Sequence, residues 1–145
     1  MRADSVHPPR NCPPDWLQSW CEGALDTYGA ALEVMYPGYG LGTGAEVEQA
    51  MAAGIPLAVD ISHVYLQICA GAMGQDTWRR LQSYPGLVEV HVSANSGRND
   101  SHQPINAATF GLDWARAQTH VPIILECYLH RLSPGERQTQ LDYLR

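Results

Sequence analysis

The chain has 145 residues, 45% of them hydrophobic, and a formal net charge of −6; that is enough for one hydrophobic core and too little for two comfortable domains. All nine basic residues are arginine, so a Schiff-base lysine and a P-loop are excluded within this chain, and scattered arginines on an acidic background argue against a broad nucleic-acid surface. The amino end holds no apolar run of signal-peptide length, no later run approaches a membrane span, and Cys12, Cys21, Cys69 and Cys127 show no CxxC pairing, so a soluble cytoplasmic protein with buried, reduced thiols and no membrane partner is expected.

The whole of residues 1–145 reads as one domain. Residues 1–13 form a polar, Pro-rich lead that places His7 outside any strand. From Pro14 to Tyr28 apolar residues recur at helical spacing (Trp16, Leu17, Trp20, Cys21, Ala24, Leu25, Tyr28) and Gly29 is a stop, predicting a first helix over 14–29. Residues 30–145 then divide into four strand–helix units. Ala30–Met35 is a short buried strand carrying Glu33, followed by a turn-rich loop in which Tyr36 and Tyr39 flank glycines and could line a pocket. Thr43-Gly-Ala-Glu46 has capping-box spacing and opens a helix that Gly54 ends. Ile55–Ile61 is the second strand, with Asp60 at its carboxyl end and His63 just beyond. Two helical pieces, Val64–Met73 and Asp76–Tyr84, lead to the β-branched run Leu87-Val-Glu-Val-His-Val92. That third strand breaks into a polar loop, so His91, Asp100 and His102 fall within twelve residues. Ala107–Gln118 reads as a helix resting on Phe110, Leu112, Trp114 and Ala115. Val121–Cys127 is the fourth strand and carries Glu126, and Ser133-Pro-Gly-Glu136 caps the final helix, with Pro134 at its first position. The four tryptophans at helical spacing are core anchors.

Alternating strands and helices with near-continuous apolar strands predict an α/β fold with a parallel sheet. Glu33, Asp60, His91 and Glu126 each lie on or at the end of one strand, at separations of 27, 31 and 35 residues. The carboxyl ends of parallel strands open on one face, which brings the four side chains together. Buried ionisable groups without a partner are costly, and a shared cation removes the cost. Imidazole with carboxylate suits zinc, iron or manganese, and the Asp-x-His spacing lets Asp100 and His102 turn towards one ion. His120 reads as a surface histidine, Arg98 as a solvated loop charge, and His130 as a rim residue past the fourth strand.

The motifs Leu-Glu33-Val, Val-Asp60-Ile-Ser-His63, Glu-Val-His91-Val-Ser, Asn-Asp100-Ser-His102 and Leu-Glu126-Cys resemble those of the xylose-isomerase-like TIM barrels. That superfamily holds sugar isomerases and epimerases, endonuclease IV, and multinuclear non-haem iron oxidases that modify ribosomal peptides. The resemblance implies a partial (β/α)8 TIM barrel whose four units correspond to the second half of a full barrel of eight strands and roughly 250 residues. By analogy with the one-metal epimerases it implies that Glu33, Asp60, His91 and Glu126 hold a divalent ion (Mn, Mg, Co, Zn or Fe), with Glu33 and Glu126 exchanging a proton through an enediolate of a sugar or sugar phosphate. From the endonuclease and oxidase branches it implies His63, Asp100 and His102 as ligands of a further metal, and the Glu89-x-His91 pattern is similar to that of the oxidases. The alternatives it leaves are oxidation of a peptide cysteine, phosphodiester hydrolysis at abasic DNA, and a non-catalytic half-barrel. The superfamily's first-half histidines have no expected counterpart. A bare half-barrel exposes two strand edges and an apolar face, so self-association or a partner supplying the missing half is expected, beside a small carbohydrate-like substrate or a peptide.

Overall fold

The computed structural model describes residues 5–23 and 29–145. Its centre is one parallel sheet of five strands in the order β1-β2-β3-β4-β5, identical to their order in the chain. These are β1 (Ser5–Val6), β2 (Ala31–Val34), β3 (Leu57–Asp60), β4 (Leu87–Val92) and β5 (Ile123–Leu125). Every residue of β2 and β3 is buried, as near-continuous apolar strands require in a sheet covered by helices. Between them run α1 (Trp16–Cys21), α2 (Gly44–Ala52), α3 (Ile61–Cys69), α4 (Gln75–Gln82) and α5 (Leu112–Arg116), and a 3-10 turn at Leu129–Arg131 and α6 (Pro134–Asp142) follow β5.

Alternation along each strand decides what faces where. In β2 it sends Leu32 and Val34 to one face, with Val47, Leu57, Val59 and Leu81 in the same core cluster, and sends Glu33 to the other. Trp78 is buried in that core, and Trp16, Trp20 and Trp114 pack against it, as their helical spacing predicts. The register sets Asp60 beside His91 across β3 and β4, and His91 beside Ile124 across β4 and β5. The sheet is strongly curved. Ser5 of β1 donates to Glu89 of β4 at 2.9 Å although two strands lie between them, a gap of roughly 14 Å in a flat sheet at about 4.8 Å per strand.

Local signals place the helices. The Thr43 side chain accepts from the Glu46 N–H at the start of α2, and Ser133 and Glu136 form a complete capping box behind Pro134. Among the described residues, no helix is long and apolar enough to cross a membrane.

Several expectations need correction. Residues 1–4 lie outside the described residues, and residues 5–13 are not a bare lead: Ser5 and Val6 pair in parallel with Ala31 and Leu32. Two residues are too few to show a period, and burial against β2 supplies what local propensity lacks. The first helix does not run over 14–29. It ends at Cys21, with Gly23 at φ 77° carrying the chain out, and Ala24–Tyr28 lie outside the described residues. The helix expected over Ala107–Gln118 shrinks to Leu112–Arg116, because Gly111 adopts φ 73° at its N-cap and breaks the apolar run. α3 starts directly at Ile61, with no loop between it and β3. Of the four free thiols, only Cys127 is buried, whereas Cys21 and Cys69 are exposed.

Candidate metal centre

The carboxyl ends of the strands converge as their spacing predicts. One potential ligand atom from each of Glu33, Asp60, His91 and Glu126 lies within 4.8 Å of the other three. Glu33 sits inside β2, Asp60 ends β3, His91 lies in β4, and Glu126 follows β5 directly. Glu33 and Asp60 are 1% and 0% exposed, so neither carboxylate has water to neutralise it.

The two oxygens of Asp60 do different work. Oδ1 accepts from the N–H and the hydroxyl of Ser62 at 2.7 Å each and from the His63 N–H at 3.2 Å, which caps α3. Oδ2 is buried without a hydrogen-bond partner, as are Oε1 of Glu33 and Nδ1 of His91. These atoms stand near one another, with His91 Nδ1 at 3.2 Å from Glu126 Oε1 and 3.5 Å from Glu33 Oε1, close yet not aligned as hydrogen bonds. Three carboxylates and an imidazole with unused lone pairs turned inward fit a divalent cation.

A second group adjoins the first. His63, in the first turn of α3, and His102 both direct Nε2 at Asp100 Oδ2, each at 3.2 Å. His63 Nε2 is also 3.5 Å from Asp60 Oδ2. The opposite ring nitrogens donate to main-chain carbonyls, His63 Nδ1 to Val34 at 2.9 Å and His102 Nδ1 to Glu126 at 3.0 Å. Carbonyl anchoring of this kind leaves the Nε2 lone pair of the neutral ring free, the usual arrangement of a ligating histidine. His102 adopts φ 47°, a left-handed conformation that costs a non-glycine residue energy and recurs at functional sites.

Electrostatics knit the two groups together. Burial pulls His63 down, but the hydrogen bond to Asp100 and the charges of Asp60 and Glu33 outweigh it and raise its pKa to about 9. Burial also opposes charge on His91, and Glu126, Glu33 and Glu89 together raise it to about 11. Burial raises Asp60 in spite of His63 and Ser62. Asp100 and Glu126 are held below the usual carboxylate range, because their histidine partners outweigh burial. Two protonated imidazoles therefore offset part of the cluster's negative charge when no cation is present.

All seven expected residues thus reach one region: Glu33, Asp60, His91 and Glu126 in the first group, His63, Asp100 and His102 in the second. Sequence reasoning missed His7, whose Nε2 lies 2.7 Å from Glu33 Oε2. Its only signal was a single β-branched residue, Val6, before a Pro-Pro stop. Tyr36 meets the site as expected, its ring 5.0 Å from that of His63. His120, His130 and Arg98 are exposed. A recess of about 180 Å³, whose lining includes Ile61, Ser62, Tyr65, Ser93, Asn95 and Phe110, begins one residue beyond Asp60 and two beyond His91. No family model, curated protein or solved structure matches the chain.

Proposed function

We propose that this chain is the catalytic part of a xylose-isomerase-like TIM-barrel enzyme and that Glu33, Asp60, His91 and Glu126 hold a divalent metal ion in it. The observation that carries the proposal is the set of four donors from four successive parallel strands within 4.8 Å, with Asp60 Oδ2, Glu33 Oε1 and His91 Nδ1 buried and without a hydrogen bond. The curvature that brings Ser5 to Glu89 supports a barrel segment over a flat doubly wound sheet.

The favoured reaction is isomerisation or epimerisation of a sugar or sugar phosphate by proton transfer. When bound, the ion supplies Lewis acidity to two neighbouring oxygens of a hydroxyketone and so acidifies the carbon-bound hydrogen between them. Glu33 and Glu126 remove and return that hydrogen, each as a carboxylate oxygen within reach of the same centre. Asp60, fixed by its helix cap, and His91 orient the site. Tyr36 covers its rim, and the recess beside Ser62 and Ser93 takes the part of the substrate that does not react. The edge strand β5 leaves Ile124 37% exposed, which suits pairing with further barrel strands, and the free thiols suit the cytoplasm.

A second reading has its own observation. His63, Asp100 and His102, with His7 on Glu33, give enough donors for more than one ion, as in a multinuclear iron oxidase acting on a peptide or a phosphodiesterase using zinc. Metal analysis of protein purified without chelator, together with hydrogen exchange from solvent into ketoses, tests both. One manganese, cobalt or magnesium per site with exchange supports the isomerase; two or more irons with oxygen consumption and no exchange overturns it.

A further inference from the structure

Glu89 lies outside the four-donor group, yet its carboxylate is buried one pleat below His91 on the same face of β4. Its Oε1 sits 2.5 Å from His91 Nε2 and also accepts from the Ser5 hydroxyl at 2.9 Å. The neighbouring position on β3 is Ala58, a side chain small enough to leave the carboxylate room. An ionised carboxylate can only accept hydrogen bonds, so the proton at this contact resides on His91 Nε2. The remaining lone pair of the neutral ring is then at Nδ1, the nitrogen that faces Glu33 and Glu126 and lacks a hydrogen-bond partner. His91 is thereby reversed relative to His63 and His102, which donate from Nδ1 and present Nε2.

We propose that Glu89 is a positioning residue that holds the Nε2–H of His91 so that Nδ1 is the metal-binding nitrogen, and that Ser5 of β1 fixes Glu89 in turn. The inference rests on the metal site proposed above. It makes the chain Ser5, Glu89, His91 a carboxylate–histidine relay of the kind that sets ring orientation and basicity at metal centres, and it gives the short strand β1 a part in the centre beyond His7.

The test uses zinc as the probe on the intact chain. Long-range proton–nitrogen correlation spectra of the zinc-loaded protein are expected to show His91 protonated at Nε2 and ligated through Nδ1. Competition against a chromophoric chelator is expected to show zinc binding weakened about tenfold to a hundredfold in Glu89→Ala, with Glu89→Gln close to the wild type because its amide oxygen still accepts the Nε2–H. Zinc on His91 Nε2, or unchanged affinity in Glu89→Ala, overturns the proposal while leaving the metal site standing. A wild-type chain that takes up no zinc overturns both. If Glu89→Ala does not fold, the wild-type spectrum decides alone.

Discussion

Asp60 allows structure and chemistry to be separated at one residue. Its Oδ1 accepts three hydrogen bonds that start α3, whereas Oδ2 is buried without a hydrogen bond, 3.5 Å from His63 Nε2. Asparagine caps helices as well as aspartate does, but alanine loses the cap at a cost of about 0.5–2 kcal/mol. It also strands the Ser62 hydroxyl and N–H, adding roughly 1–3 kcal/mol for a buried polar group left unsatisfied. Asp60→Asn should therefore unfold within about 1 kcal/mol of the wild type without metal, while Asp60→Ala should lose on the order of 2–4 kcal/mol. Metal separates the variants in the other direction. At a hundredfold excess over its dissociation constant, an ion bound only to the native state stabilises it by about 2.7 kcal/mol, or roughly 5–10 °C for a domain near this size. Thermal unfolding with and without manganese or zinc should show that increment in the wild type and none in Asp60→Asn. An Asp60→Asn protein that keeps the increment, or that unfolds as easily as Asp60→Ala, refutes the division of labour between the two oxygens.

Metal affinity should rise with pH, because an ion must displace the protons that His91 and His63 carry with pKa values of about 11 and about 9. Between pH 7 and 9 the logarithm of the binding constant should climb by about one per pH unit if His91 alone ligates and towards two if His63 joins it, measurable by calorimetry in buffers of different ionisation enthalpy. The same raised values stabilise the metal-free fold. That contribution is complete below the unfolded histidine pKa of about 6.5 and is lost as pH climbs through about 9 and then about 11, so denaturant midpoints without metal should fall on the alkaline side. Glu126→Gln should lower hydrogen exchange into a ketose substrate by about 10²–10⁴, read by mass spectrometry in heavy water; an unchanged rate removes Glu126 from proton transfer. Gly42→Ala places a Cβ 2.4 Å from the Tyr36 carbonyl oxygen; it should destabilise the fold by about 1–3 kcal/mol and shift the Tyr36 and His63 ring resonances.

Much of the site was legible because each candidate ligand ends or interrupts an apolar run long enough to be read. Glu33, Asp60, His91 and Glu126 end or interrupt stretches whose continuous hydrophobicity marks parallel strands, and chain order equals sheet order, so a one-dimensional spacing became a three-dimensional cluster. Thr43 and Ser133 announced their helices through capping residues that act locally. What escaped was decided by distant contacts. β1 is two residues long and exists because β2 offers it a buried edge, so His7 and Ser5 carried no periodic signal. α5 was overcounted because the apolar residues Phe110 and Leu112 continue a helical pattern across Gly111, whose positive φ is a backbone property that hydrophobicity does not encode. Glu89 was visible as a partner of His91 by alternation alone, but the bond to Ser5 depends on sheet curvature.

The order of the strands also governs when the centre comes into being. Its candidate ligands are dealt out one per strand along the chain, with Glu33 and Glu126 at opposite ends of the series, so no contiguous stretch holds enough of them to capture an ion. Loop closure over the span from Glu33 to Glu126 must precede coordination, and Glu126, just past β5, brings the carboxylate that completes the first group. On the proposed metal site, an ion should therefore not template early folding but arrive late and lock a sheet already assembled. Metal uptake during refolding should lag behind the burial of Trp78 in the core, and a ribosome-stalled chain ending before Glu126 should bind the ion no better than its isolated histidines do.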